Sequence, residues 1–559
     1  MNFNLKKLFE RIGGNAKIFE NEHMDARLSG GREGGTSKIT VKMDKNEVAV
    51  DVFTNIPHPL DENVLTKLNS LNGQDLYQNF DEAKKLWKLL VKKSIECLRY
   101  YDRREPFLSM PNKVPVVYGE EELNNYFESF VKFEALLYGS SPYYRDHVVH
   151  TLHVWKLGLE ELLSREALMD GLKTELHKDI KKYVHLRTTS LEIISMWTVA
   201  ALCHDLGYPL ETARKIIDGT QSILNHFTEN AQIPFSINFT GIQNEMNSII
   251  VKVMSSRLRH VPAPPHPDCA DAAGGNEGNA EAGAAPNGKA GKEKEEAQKA
   301  EAEGAENNAP EQPKKPEEQF LVRIQPKYFM KYATSLEHYE HGIISALILY
   351  KLLMYFKESE FAMNEDYTLD EEGARQFYIR REILRAISSH TCMDIYHMSS
   401  YSLPFLLHVC DDMQSWDRKN FRDMHASKHN EAEPVAEFTE YDDKQVSILD
   451  VISYSDFSEK DMESFFTYLC SLMKELQKRY RDGPDTKNRL FSFERKFTIR
   501  QAEGGQNGLD GLEVTLRIPQ SEAVEIRCKI EHKFKGRSED ITKYIQKLNE
   551  QHPFTISVV

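Results

Sequence analysis

The sequence predicts a mainly α protein with an N-terminal β-hairpin region and a small C-terminal α+β module. Three observations carry this. Apolar residues recur at helical spacing from about residue 73 to 482. Strict alternation of apolar and polar residues is confined to 39–52 and to 490–534. One segment, 262–318, holds almost no large apolar residue and interrupts the helical pattern. The expected organisation is a mixed region at 1–72, a helical domain at 73–482 interrupted by 262–318, and an α+β module at 485–559.

Each element follows from its residues. Ile39, Val41 and Met43 alternate with polar neighbours, as do Val48, Val50 and Val52, and Asp44-Lys45-Asn46-Glu47 between them is the expected hairpin turn. The glycine-rich stretch 30–35 lacks the Lys-Ser/Thr of a phosphate loop and precedes a strand, so it is read as a flexible loop. Leu86, Leu89, Leu90, Val91, Ile95 and Leu98 form one apolar helix face. Residues 121–138, 147–164, 190–204 and 241–258 have the same spacing. Segment 262–318 carries 13 Asp+Glu against 6 Lys, a net of −7, and is read as a disordered insertion. Such an insertion is tolerated because closure entropy grows slowly with loop length. Helical periodicity resumes at Ser335 and runs to about Arg481. After Gly483-Pro484, strands are expected at 490–502, 512–518 and 523–534, a helix at 538–550, and a closing strand in FTISVV. A regulatory or dimerising role fits that module, and a homo-oligomer is allowed.

The chain has 559 residues, 40% of them hydrophobic, and a net charge of −15. This acidic balance argues against general nucleic-acid binding, which needs a basic face. A local basic pocket for a phosphorylated small molecule is compatible with it. The seven cysteines, Cys97, Cys203, Cys269, Cys392, Cys410, Cys470 and Cys528, are scattered without a CxxC and read as free thiols in a reducing compartment. The first residues lack the apolar core of a signal peptide. No run of about 18 apolar residues suggests a membrane span. The expected location is the cytoplasm, with no membrane partner.

Four segments concentrate chemistry-bearing residues. YYRDHVVHTLHVWKLG holds His147, His150 and His153. LCHDLGYPLETA holds His204 and Asp205, SLEHYEHGIISALIL holds His338 and His341, and AISSHTCM to LPFLLHVCDDMQSWDR holds His390, Asp411 and Asp412. With 20 histidines in the chain, a lone His-Asp pair is a chance event, and a lone His on an apolar face is more often a hydrogen-bonded core residue. Repetition changes the balance. Four apolar helices each offer a His or Asp at an inward position, and buried ionisable groups are costly unless paired or bound to metal. Histidine with carboxylate suits Mn, Fe, Co or Ni better than Mg.

These residues resemble the HD superfamily of metal-dependent phosphohydrolases. His150-Thr151-Leu152-His153-Val154 matches that family's H-[ST]-x-x-V element, His204-Asp205 its HD pair, and Asp411 in LLHVCDDMQSW its final Asp. His341, in an HG-x-x-S-A context, and His390 match the two further histidines of the two-metal branch. The resemblance covers roughly 140–420, less the insertion. It implies an HD-type helical bundle and one or two divalent ions held by His150, His204, Asp205, His341, His390 and Asp411. Asp205 would bridge two ions, with His150, His204 and Asp411 completing one and His341 and His390 holding the other. Asp205, His341 and His390 would act in catalysis. With a single ion, His341 and His390 would instead bind phosphate or protonate the leaving oxygen.

The implied activity is hydrolysis of a phosphate ester or nucleotide. A non-catalytic nucleotide-binding sensor and a di-iron oxygenase on the same scaffold are the alternatives. Gly207-Tyr208-Pro209 follows the HD pair directly, unlike the GYP of the HD-GYP family, and is treated as an accidental match. Many members of the superfamily carry Lys shortly after the pair; Tyr208 and Pro209 stand there, so the general acid is unassigned. His153 is expected to be structural or exposed. His147 and His338 are open between a structural role and a contact near the site. Asp412 is expected to point elsewhere. Arg145, Arg385 and Arg418 could hold phosphate oxygens, though a solvated helix face accounts for each one singly.

Overall fold

A helix from Ser190 to Cys203 lies innermost, and its sequence explains why. Every residue of SLEIISMWTVAALC is buried, as expected of a helix apolar on all sides. A capping box starts it. Thr189 Oγ1 accepts from the Glu192 N–H, and the Glu192 carboxylate accepts from the Thr189 N–H. The structure is a computed structural model. It describes residues 3–14, 35–43, 46–54, 57–102, 119–140, 146–176, 188–224, 242–261, 318–357, 368–392, 398–414, 435–454, 459–480, 488–501, 511–521, 525–530 and 555–558, with a few isolated positions between them.

The first half contains α1 (Lys6–Gly14), β1 (Gly35–Met43), β2 (Asn46–Thr54), α2 (Glu62–Leu71), α3 (Phe80–Tyr101), α4 (Glu120–Ser140), α5 (Val148–Ser164), α6 (Glu166–Leu176), α7 (Ser190–Cys203), α8 (Tyr208–Leu224) and α9 (Ile242–Ser255). The second half contains β3 (Ser256–Val261), β4 (Gln319–Ile324), α10 (Pro326–Glu337), α11 (His341–Leu352), α12 (Met354–Lys357), β5 (Thr368–Leu369), α13 (Glu371–Ser389) and α14 (Leu403–Gln414). It closes with β6 (Val435–Tyr441), β7 (Gln445–Tyr454), α15 (Glu459–Arg479), β8 (Ser492–Gln501), β9 (Gly511–Ile518), β10 (Glu525–Ile530) and β11 (Thr555–Val558). The fold is mainly α with small sheets.

Helices α3, α5 and α13 pack around α7. The buried tryptophans join them. Trp87 of α3 donates to the Leu202 carbonyl, Trp197 of α7 to the Trp155 carbonyl, and Trp155 of α5 to Thr198 Oγ1. These bonds satisfy the one polar atom of each large apolar ring.

β1 and β2 pair antiparallel, with Ile39 opposite Val50 and Val41 opposite Val48. The hairpin read from the sequence is present. Its connection is residues 44–45 rather than four residues, because Asn46 and Glu47 join the ladder opposite Met43 and Lys42. β3, β4 and β5 form a second sheet in that order. Val261 lies opposite Gln319, so the two ends of the acidic segment sit side by side. That segment, expected to be disordered, lies outside the described residues except Glu318, as do 30–34 and the helix expected at 538–550.

The third sheet has six strands in the order β11-β10-β9-β8-β7-β6. This corrects the expectation of unbroken helix over 335–481, since 435–441 and 445–454 are strands. An Asx turn joins them, with the N–H groups of Lys444 and Gln445 both donating to Asp442 Oδ1. β7 and β8 run parallel, which requires a crossover, and α15 provides it. The sheet packs on α14. Phe405 meets Tyr441, Tyr480 and Phe491, and Tyr441 donates to the Ser400 carbonyl. Among the described residues, no helix is long and apolar enough to cross a membrane. Cys97, Cys203, Cys392, Cys410 and Cys470 are buried.

Candidate metal centre

His204 and Asp205 sit where α7 ends. His204 is the C-cap residue, with φ −66° and ψ −30°, and the chain turns there into α8. At this end the two adjacent side chains converge, with His204 Nε2 3.4 Å from Asp205 Oδ2. Other helix ends meet the same point. His150 lies in the first turn of α5, His341 is the first residue of α11, His390 is the C-cap of α13, and Asp411 lies in the last turn of α14.

The six residues divide around Asp205. On the Oδ2 side, His150 Nε2 is 3.9 Å away, and Asp411 Oδ1 lies 2.8 Å from His150 Nε2 and 3.5 Å from His204 Nε2. On the Oδ1 side, His341 Nε2 is 3.3 Å away and His390 Nε2 3.7 Å away, with 3.0 Å between the two imidazole nitrogens. The groups His150, His204, Asp411 and His204, Asp205, His390 each bring their ligand atoms within 4.8 Å of one another. Ligands about 2.1 Å from one cation stand roughly 3–3.5 Å apart, so these spacings fit coordination. The structure thus brings together all six residues singled out from the sequence.

Three of the four histidines have fixed tautomers. His204 Nδ1 is 2.8 Å from the Ala201 carbonyl, and His390 Nδ1 is 2.5 Å from the Ile387 carbonyl. His341 Nδ1 is 2.7 Å from Glu211 Oε2. A carbonyl or carboxylate can only accept, so each Nδ1 carries a proton, and Nε2 is the atom each ring turns toward the centre. His204 Nε2 is fully buried and makes no hydrogen bond.

Charge balance points the same way. Burial alone would raise Asp205, but His204, His341 and His390 outweigh it and hold the carboxyl well below its usual range. Burial also opposes the charge of Asp411, but its bond with His150 and the nearby His204 imidazole hold it well below its usual range as well. For His341, burial pushes down, while Asp205 and Glu211 prevail and raise it to about 9. The two carboxylates are thus kept ionised by the imidazoles around them.

Two glycines permit the close approach. A Cβ on Gly207 would lie 2.4 Å from the His341 carbonyl oxygen, and one on Gly342 would lie 2.5 Å from Thr391 Oγ1 and 3.0 Å from His390 Cε1. Ser345 locks this junction. Its Oγ donates to the His341 carbonyl and accepts from the Gly207 N–H. The turn into α11 is a Schellman motif, with Tyr339 at φ +56° and the Glu340 N–H bonded to the Ser335 carbonyl.

The neighbouring candidates separate cleanly. His147 is buried beside the site. Its Nδ1 lies 2.6 Å from Glu134 Oε1, and its ring lies 3.9 Å from that of Tyr208. His147, Thr151 and Asp205 help to line a cavity of about 10 Å³, the room one water needs. His153 is buried against Phe3, and His338 is an exposed C-cap residue of α10. Asp412 points away from the centre, toward Arg495 and Tyr468. Arg385 pairs with Glu382, while Arg145 and Arg418 lie outside the described residues. Sequence reasoning missed Glu134, Glu211 and Ser345. Only Glu211 and Ser345 had a signal, because both lie inside quoted motif segments. Comparison with family models, with curated proteins and with solved structures gave no match.

Proposed function

We propose that this chain is a metal-dependent phosphohydrolase of the HD type that cleaves a phosphate ester or nucleotide. One observation carries the reading. His204 Nε2 is fully buried, makes no hydrogen bond, and faces Asp205 Oδ2 at 3.4 Å and Asp411 Oδ1 at 3.5 Å. A ring nitrogen and two carboxylate oxygens buried this close together call for positive charge between them, and a divalent cation held there would supply it.

His150, His204, Asp205 and Asp411 would hold one divalent ion, and Asp205, His341 and His390 a second. Bound there, the ions would supply Lewis acidity, activating water and neutralising charge on phosphoryl oxygens. The chain's own residues prepare the site. The carbonyls of Ala201 and Ile387 and the Glu211 carboxylate orient three imidazoles. Asp205 presents one oxygen to each half. Asp411 and His341 have side chains 27% and 20% exposed, so substrate would enter over these two. Their edge sets where a phosphate meets the site, while α7 closes the opposite side to water.

The test is metal analysis of purified protein, then phosphate release with Mn²⁺ across nucleotides and phosphodiesters. Hydrolysis should be abolished by Asp205→Ala with the circular dichroism spectrum unchanged. Iron with oxygen uptake and no phosphate release would assign the site to oxygen chemistry. Bound nucleotide without metal or turnover would make the protein a sensor.

A further inference from the structure

The three imidazoles with fixed tautomers are not fixed alike. His204 and His390 each rely on a carbonyl of their own helix. His341 relies on a charged side chain from another helix. Glu211 stands on α8, and its Oε2 lies 2.7 Å from His341 Nδ1 while accepting a 2.9 Å bond from the His341 backbone N–H. Both contacts act on the first residue of α11, so one carboxylate oxygen sets where that helix starts and how its imidazole turns. With Nδ1 held, Nε2 faces Asp205 Oδ1 and His390 Nε2. The other Glu211 oxygen is bound by Lys215 Nζ.

We propose that Glu211 is the positioning residue for the Asp205–His341–His390 half of the centre and sets its affinity for a divalent cation. This rests on the metal reading of the site. A carboxylate behind an imidazole fixes its rotation and strengthens it as a donor, and loss of such a partner typically weakens metal affinity 10–100-fold. Glu134 is a built-in comparison. It contacts the N–H and Nδ1 of His147 in the same way, at the start of α5, but His147 is not among the ligands.

The experiment uses the full chain, stripped with chelator and titrated with Co²⁺ alone. Visible absorption and elemental analysis report binding, and circular dichroism reports the fold. Wild type should take up two ions. Glu211→Gln should keep the first ion and bind the second 10–100-fold more weakly, with an altered Co²⁺ spectrum. Glu134→Gln should match wild type. Unchanged affinity in Glu211→Gln for every ion that wild type binds overturns the proposal. Equal weakening in Glu134→Gln overturns it too, because the effect would then be general loosening of a helix start. Wild type that takes up no Co²⁺ overturns the metal reading together with this proposal. Two ions without hydrolysis of any phosphate ester overturn the phosphohydrolase reading alone.

Discussion

His150 and His153 stand three residues apart on α5, yet they serve different ends. His150 Nε2 faces Asp411 at 2.8 Å, whereas the His153 ring meets Phe3 edge-on at 5.4 Å. Burial lowers His153 to about 3, and His408 and His58 are lowered to about 3 and about 4, again chiefly by burial. A depressed native pKa means the unfolded chain takes up a proton that the native state resists. The stability from each neutral imidazole is therefore intact above about pH 6.5 and lost as pH falls toward 3. The slope is about 1.4 kcal/mol per pH unit for each histidine. His153→Phe should remove about that much slope between pH 6 and 4, read by urea unfolding at a series of pH values. An unchanged slope would mean that His153 is protonated in the native state. Gly342→Ala is a sharper test of packing. Its Cβ would meet Thr391 Oγ1 at 2.5 Å and the Ile387 carbonyl at 2.7 Å, so α11 must move away from α13. The expected cost is about 1–3 kcal/mol, with reduced metal content as His341 and His390 separate. At this scale the sequence was informative for His150, His204, Asp205, His341, His390 and Asp411. Each is an ionisable group in an otherwise apolar run, and that conflict is visible without coordinates. The partners Glu211 and Glu134 gave no such conflict, because a glutamate on a half-exposed helix looks ordinary.

At the scale of elements, the end of α13 depends on α15. Arg479 is fully buried, and its guanidinium donates to the Ser389 carbonyl at 2.6 Å and the His390 carbonyl at 3.1 Å, while pairing with Glu475 at 2.8 Å. These are carbonyls that a helix C-terminus cannot satisfy from within. Arg479→Met should therefore cost about 1–3 kcal/mol for each acceptor left unmatched. The urea midpoint would show it, and Arg479→Lys should restore little, since an ammonium lacks the planar fork. A midpoint within error of wild type would mean that water serves those carbonyls equally well. The dependence was not legible in the sequence, where α15 read as one more amphipathic helix. Its place follows from β7 and β8 being parallel neighbours, and that pairing joins residues some distance apart in the chain. Strands β6 and β7 were missed for a related reason. Their alternation is short, and it sits between two helices whose periodicity dominates a long window.

At the scale of the whole molecule, the C-terminal sheet is built into the surroundings of the centre. Arg495 of β8 is fully buried, pairs with Asp450 at 2.7 Å, and reaches Asp412, the neighbour of Asp411. A sequence reading sees Arg495 and Asp412 as separate charges, because nothing local connects them. The mainly α class and the closing strands were legible, since their periods of 3.6 and 2 are local properties. The docking of one on the other was not. The acidic segment is the reverse case, one where the sequence was explicit and the structure supplies the geometry. Val261 and Gln319 are paired neighbours, so the chain leaves and returns at one place. Replacing 263–317 with a four-residue turn should keep that ladder intact. Shortening the connection this far is just under four doublings, each worth about 0.6 kcal/mol of closure entropy, so stability should rise by up to about 2 kcal/mol. The removed charge should show as weaker retention on an anion exchanger, because 263–317 carries −6 of the chain's −15. Thermal melting and metal content then decide. A raised or equal melting temperature with unchanged metal uptake is the expected outcome. Insoluble protein, or protein that no longer takes up metal, would mean that the segment itself packs against the helices.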